Sequence, residues 1–389
     1  MKNGKKKGRI IAGAAVLAAA LAVAAGVFSY QSGKEKTDSL NNRYCPTVFG
    51  NLNYSDNGVF YYGNEGISYL DAETGREVSV CTKAGCRHED ASCPAKVEAL
   101  YRTGIVYDGK KLYYISDGDT RELESLYLTE CDINGSNRKK MADFEGLQSP
   151  QAIAYYDDYV IVAYMNGFDW KKREEINNRE AGIYVYNRKT KEGGKIYHST
   201  AWANLVSSLD VIDGDIYFCR SYSPLSEEEV MQQGAGESDQ ALAGAAELYK
   251  VPLEGGEAEY IADKISVSVS GVTGIGDMVL YSTEEGLQAY FPKTKKTKTI
   301  KEGEQVYNVT SRLSDGKGIV RQITGDGENS DYYICDKEGT LKWIGNTPLV
   351  FMAVYDNVTY AMDNNGWAAL DTNKWQKGDF EVRYSFQAK

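Results

Sequence analysis

The stretch Tyr101–Glu145, YRTGIVYDGKKLYYISDGDTRELESLYLTECDINGSNRKKMADFE, decides the fold. It reads as four short strands in a row: Gly104–Tyr107, Lys111–Ile115, Ser125–Glu130 and Arg138–Ala142. Asp108-Gly109 makes the first turn and Asp132-Ile133-Asn134-Gly135 the third. Glycine takes positive φ without a Cβ clash, and Asp or Asn side chains bond the backbone just beyond them. One four-stranded sheet of this size cannot bury a face by itself, whereas stacked copies can.

The unit recurs along the chain. Second-strand runs appear at Val59-Phe60-Tyr61-Tyr62, Leu112-Tyr113-Tyr114, Tyr159-Val160-Ile161-Val162, Ile216-Tyr217-Phe218, Val279-Leu280-Tyr281, Ile319-Val320 and Val358-Thr359-Tyr360, each after an Asp, Asn or Gly turn. Third-strand runs such as Ile67-Ser68-Tyr69-Leu70 and Ile183-Tyr184-Val185-Tyr186 follow them. Seven copies of short strands with few prolines predict an all-β chain, a β-propeller of seven four-stranded blades over residues 44–389. The 30 tyrosines fall mostly on these strands, where a ring packs between blades and its hydroxyl finds water or backbone.

Ahead of the repeats, Lys2, Lys5, Lys6, Lys7 and Arg9 precede an uncharged run from Ile10 to about Tyr30. A run of that length can span a bilayer with its basic end in the cytoplasm, so residues 1–30 read as a signal anchor. A cleavable signal peptide ending near Ala22-Val23-Ala24 is the other reading, and would release a secreted protein. Both put the body outside the cytoplasm. Residues 31–43 form a polar linker. Residues 1–38 carry +5 of the overall −11, which leaves −16 on the remainder and excludes nucleic acid as a partner class.

Long stretches cluster on the face of second-to-third-strand loops and blade crossings: residues 82–98, 166–181 and 220–247. Long loops on a rigid scaffold are where binding is commonly placed. The first of these holds the chain's most specific chemistry. Cys81, Cys86, His88 and Cys93 bring three of seven cysteines and one of two histidines into thirteen residues. Four such ligands match the number a tetrahedral zinc (or iron) site needs. A disulfide is the alternative, with Cys45 expected on the same face as a partner. In the second stretch, Phe168, Trp170, Lys171, Lys172 and Arg173 place aromatics beside cations, a candidate binding face for a glycan or a protein. Cys131, Cys219 and Cys335 sit on strands as small buried hydrophobes.

The repeat, the extracytoplasmic address and the Cys-x4-Cys-x-His-x4-Cys loop together resemble the uncharacterised surface β-propellers of gut-type Gram-positive bacteria. Those are similar in turn to the propellers of low-density-lipoprotein-receptor relatives. The resemblance implies a propeller and carries no activity with it. Leu70-Asp71-Ala72-Glu73-Thr74-Gly75 also resembles the repeat motif of quinoprotein-type propellers, but Ser79 stands where those have Trp. The expected function is therefore a membrane-tethered surface binding or interaction module. The alternative is an extracytoplasmic hydrolase or lyase using carboxylates on the loop-rich face. No Gly-x-Ser-x-Gly elbow is present, and two histidines leave little for a Ser–His–acid triad.

Overall fold

The computed structural model describes residues 43–46, 53–55 and most of 58–386. Residues 1–42 lie outside the described residues, as do 89–91, 98–104, 118–124, 170, 171, 173, 230–243, 267–270, 304–306, 324–328 and a few further positions. The expected anchor and most of the linker therefore fall outside them. No helix among the described residues is long and apolar enough to cross a membrane.

Strands follow one another in antiparallel meanders. Four-stranded sheets occupy 53–79, 106–145, 273–302, 307–347 and 350–386, and an eight-stranded sheet occupies 149–262 together with Arg43–Pro46. The stretch that decides the fold forms Val106–Tyr107, Lys111–Asp117, Ser125–Asp132 and Lys139–Glu145. Its turns close as the residues dictate. Lys110 and Lys111 N–H groups donate to Asp108 Oδ1 at 2.8 and 2.7 Å, and Gly109 and Gly135 take φ of 94° and 78°.

Core clusters sit between neighbouring sheets, and this explains why the second strands read as unbroken apolar runs. Successive residues of a strand point to opposite faces. Phe60 and Tyr62 pack toward Leu112 and Tyr114 of the second sheet, while Val59 and Tyr61 pack toward Val358 and Tyr360 of the last. Both faces are buried, so both registers are apolar. The contact between the sheets at 53–79 and 350–386 closes the ring, and the Tyr384 hydroxyl reinforces it by donating to the carbonyls of Asp71 and Ala72. Meandering sheets packed face to face around a closed ring are the architecture of a β-propeller.

The eight-stranded sheet arises because Glu192–Ile212 is one continuous strand. Its first part pairs with Glu174–Asn187 and its second with Asp215–Ser223. The pairing shifts between Trp202 and Leu205, where fully buried Asn204 donates to the Arg179 and Ser199 carbonyls and accepts from Arg220 Nε. His198 lies inside this strand opposite Gly182. The stretch 166–181 is largely a lengthened hairpin, with Asn166 opposite Glu180 and Phe168 opposite Glu175. In 220–247, Ser226 and Glu229 form the reciprocal bonds of a capping box ahead of residues that lie outside the described set.

Cys45 departs from its expected place. Arg43–Pro46 adds to the free edge of Ser149–Tyr156, with Cys45 opposite Ile153, in a different sheet from the Cys–His loop. A strand edge with open N–H and C=O groups recruits whatever chain can pair with it, and no sequence signal announces which.

Candidate metal centre

The Cys–His loop leaves the sheet at 53–79 after Glu77–Ser79 and enters the next sheet at Val106–Tyr107. These strands have three and two residues, so little backbone pairing borders the seam at this point. The loop fills it. Cys93, Ala95 and Val80 belong to the same core cluster as Phe60, Tyr62, Leu112 and Tyr114, with Cys81 and Cys86 packed against it.

Local turns aim the ligands. The Lys83 N–H donates to Cys81 Sγ at 3.4 Å, and the Cys86 N–H donates to the Lys83 carbonyl at 3.2 Å, which curls the chain around the first sulfur. Gly85 takes φ 70°, and His88 sits in the left-handed region at φ 61°. For a residue with a Cβ that conformation costs about 1 kcal/mol, and the surrounding contacts must hold it. The result is a His88 Nδ1 to Cys93 Sγ distance of 3.3 Å.

Both neighbouring sheets clamp the loop. On one side the Ile67 N–H donates to the Ala95 carbonyl at 2.8 Å, and a Cβ on Gly66 would lie 2.1 Å from that oxygen. On the other, Arg138 donates to the carbonyls of Pro94 and Lys96, and Asn134 Nδ2 donates to Thr82 Oγ1 at 3.2 Å. A Cβ on Gly135 would lie 2.1 Å from the Pro94 carbonyl. Only glycine admits an approach that close.

The ligand atoms of Cys81, Cys86, His88 and Cys93 all lie within 4.8 Å of one another. A tetrahedral zinc shell puts two sulfurs about 3.8 Å apart, and a sulfur and a nitrogen about 3.6 Å apart. The set thus fits one ion with small adjustments. Cys93 is buried, and the other three are partly exposed. Burial pushes the Cys93 thiol up, but the hydrogen bonds from His88 and from the Ala95 backbone outweigh it and hold it down at about 7. Burial raises the Cys81 thiol. Cys81, Cys86 and Cys93 are free thiols, so no disulfide joins them. Cys131, Cys219 and Cys335 are buried on strands, as the sequence indicates.

Of the other binding-face candidates, Trp170, Lys171 and Arg173 lie outside the described residues, and only the backbone of Phe168 is described. Lys172 is exposed and pairs with Glu174 at 3.3 Å. Their hairpin belongs to the eight-stranded sheet, whereas the thiol cluster lies at the seam between 53–79 and 106–145. Residues that sequence reasoning missed are Gly66, Asn134, Gly135 and Arg138, which reach the loop from strand ends and turns. The one signal for them was Arg138-Lys139-Lys140, a basic run in an acidic body.

Several carboxylates are held by backbone N–H groups. Asp71, Asp108 and Asp336 accept from backbone N–H groups in their own turns. Among the described residues Asp210 is the buried carboxylate, and it accepts from the Val211 and Gly274 N–H groups at 2.9 and 2.8 Å.

No family model matches the chain, and no curated protein matches it. Solved structures do. The β-propeller domain of the Trilobed protease from Pyrococcus furiosus is similar at 11% identity and TM-score 0.48, over 90% of this chain and 97% of that one. Sqt1 from Saccharomyces cerevisiae is similar at 6% identity and TM-score 0.45, over 90% and 88%. Oligogalacturonate lyase from Vibrio parahaemolyticus is similar at 12% identity and TM-score 0.44, over 71% and 74%. All three scores lie below 0.5, so the propeller assignment rests on this chain's own sheets and the clusters between them.

Proposed function

We propose that the chain is a surface binding module: a propeller of seven blades, with the eight-stranded sheet counting as two, tethered through residues 10–30 and facing away from the cytoplasm. Its ligand is a glycan or a protein. The observation that carries the binding reading is the state of the carboxylates. Asp71, Asp108 and Asp336 in turns, and Asp210, the buried carboxylate among the described residues, are already engaged by backbone donors. Membership of the gut-type Gram-positive propellers belongs to the same proposal.

Zinc is the ion that Cys81, Cys86, His88 and Cys93 would hold, since three thiolates and an imidazole make a closed, borderline-soft set. Four protein ligands leave no open position for a substrate, so the ion's role is structural. It joins a loop that both sheets clamp, at a seam where the adjoining strands have only three and two residues. Support for binding comes from a glycan and peptide array probed with the purified body. Protease added to intact cells tests the tether and should remove the body while leaving a membrane-embedded stub. Mature protein found free in the medium, beginning near Ala25, overturns the tether. An array without hits, together with turnover of a polysaccharide, overturns the binding reading.

A further inference from the structure

Arg43–Pro46 pairs with a strand at the centre of the ring. In each sheet the strand that comes first in the chain is the inner one, and these inner strands lie against one another around the axis. Asn53–Ser55 lies against Val106–Tyr107, and Tyr307–Arg312 lies against Thr273–Ile275 on one side and Val350–Val354 on the other. Ala152 and Ala154 of Ser149–Tyr156 pack with Val206, Leu209 and Val211 in the second part of Glu192–Ile212. Polar bonds link three of the inner strands directly. The Gly274 N–H donates to Asp210 Oδ2 at 2.8 Å, and Arg312 Nη1 donates to the Gly274 carbonyl at 3.0 Å.

Ser149–Tyr156 gives one edge to Tyr159–Asp169, so its other edge faces the axis, and there it takes Arg43–Pro46. The short strand also lies against Glu192–Ile212. It completes no sheet, because Glu192–Ile212 serves both halves of the eight-stranded sheet and gives each its four strands. The ring closes instead by side-chain packing between the sheets at 53–79 and 350–386. A ring closed without strand exchange can assemble around a chain whose N-terminus is already fixed.

The register gives this strand a direction. The pairing is antiparallel, with Arg43 opposite Tyr155 and Pro46 opposite Ala152. Arg43 thus lies at the end where Tyr156 turns back into Tyr159, the face of the tight first-to-second and third-to-fourth turns. Pro46 points toward the end at Ser149, the face of the crossings between sheets. That second face carries the Cys–His loop, the tip of the hairpin between Asp169 and Glu174, and the connection from Ser223 to Ala245.

We propose that the tether enters the ring along its axis from the face of tight turns, which turns the crossing face and its loops away from the bilayer. The inference rests on the tethered-module reading and names the kind of partner: one presented from the medium, on the far side of the ring from the cell's own lipids. The length of residues 31–42 enforces the orientation. Fully extended, they reach at most about 40 Å. To turn the crossing face toward the membrane, the tether would have to run from the axis to the rim and then down the side. Three strand spacings make the first leg about 15 Å, and strands of 6 residues such as Gly58–Gly63 make the second about 20 Å. The two legs together use nearly the whole reach of the chain.

The test places the full chain in phosphatidylcholine vesicles that carry an acceptor-labelled lipid. A short ligase-recognition tag, inserted after Thr294 or after Glu284, takes a donor fluorophore. The first site lies in a tight turn and the second in a second-to-third-strand turn of the same sheet, joined by the 6-residue strand Gly286–Phe291. Energy transfer should put the label at 294 nearer the lipid by about 20 Å, the length of that strand. The double variant Y44P/C45P removes at least one N–H that the strand gives to Ser149–Tyr156, since alternate residues of an antiparallel pair face the partner. The difference in height should then shrink, while Tm stays that of the parent because no sheet loses a strand. A label at 284 that lies nearer, equal heights for the two labels, or an undiminished difference in Y44P/C45P overturns the orientation. A chain that does not stay with the vesicles overturns the tether and the orientation with it, whereas a vesicle-bound chain with equal heights removes the orientation alone.

Discussion

Replacing His88 tests the metal centre without disturbing the thiols. His88→Ala removes one of four ligands and leaves three sulfurs with water in the fourth place. Loss of a supporting residue outside the shell already lowers metal affinity by about 10- to 100-fold, so loss of a ligand should cost at least about 100-fold. At free zinc near 100 times the wild-type Kd, binding stabilises the fold by about 2.7 kcal/mol, and after a 100-fold loss by only about 0.4. The difference, about 2.3 kcal/mol, acts on a body of roughly 345 residues that unfolds with about 2.1 cal/mol/K per residue, which lowers Tm by about 3 °C. The assay is paired metal analysis and calorimetric melting. His88→Gly is the control, because it also relieves the left-handed backbone at φ 61°. If His88 were only a loop residue, that variant would hold or gain stability. Retention of about one zinc per chain and an unchanged Tm in both variants would refute the metal centre.

The clamp and the ring make their own predictions. Gly135→Ala should lose about 2–4 kcal/mol, because a Cβ would press on the Pro94 carbonyl from a backbone at φ 78°. It should also lower zinc occupancy, although residue 135 is no ligand. Normal occupancy in a folded Gly135→Ala protein would separate the clamp from the metal. Deleting residues 357–389 removes most of the last sheet and bares the face of Val59 and Tyr61, so cooperative unfolding should vanish in a denaturant titration. A truncated chain that still melts sharply would count against ring closure.

The sequence by itself determined the strands and their order. Asp-Gly turns and unbroken apolar runs such as Val59-Phe60-Tyr61-Tyr62 are local facts of chain chemistry, and a run apolar in both registers already implies burial on both faces. It also brought Cys81, Cys86, His88 and Cys93 together as one candidate, because all four ligands lie on a single loop. What surrounds those residues was decided in three dimensions. Cys45 was drawn away by the open edge of Ser149–Tyr156. Gly66 and Arg138 reached the loop from two different sheets, one through a missing Cβ and the other through a guanidinium. Local signals record what each residue does to its own backbone, whereas contacts across the seam depend on how two finished sheets pack, and that is written in no single stretch of chain.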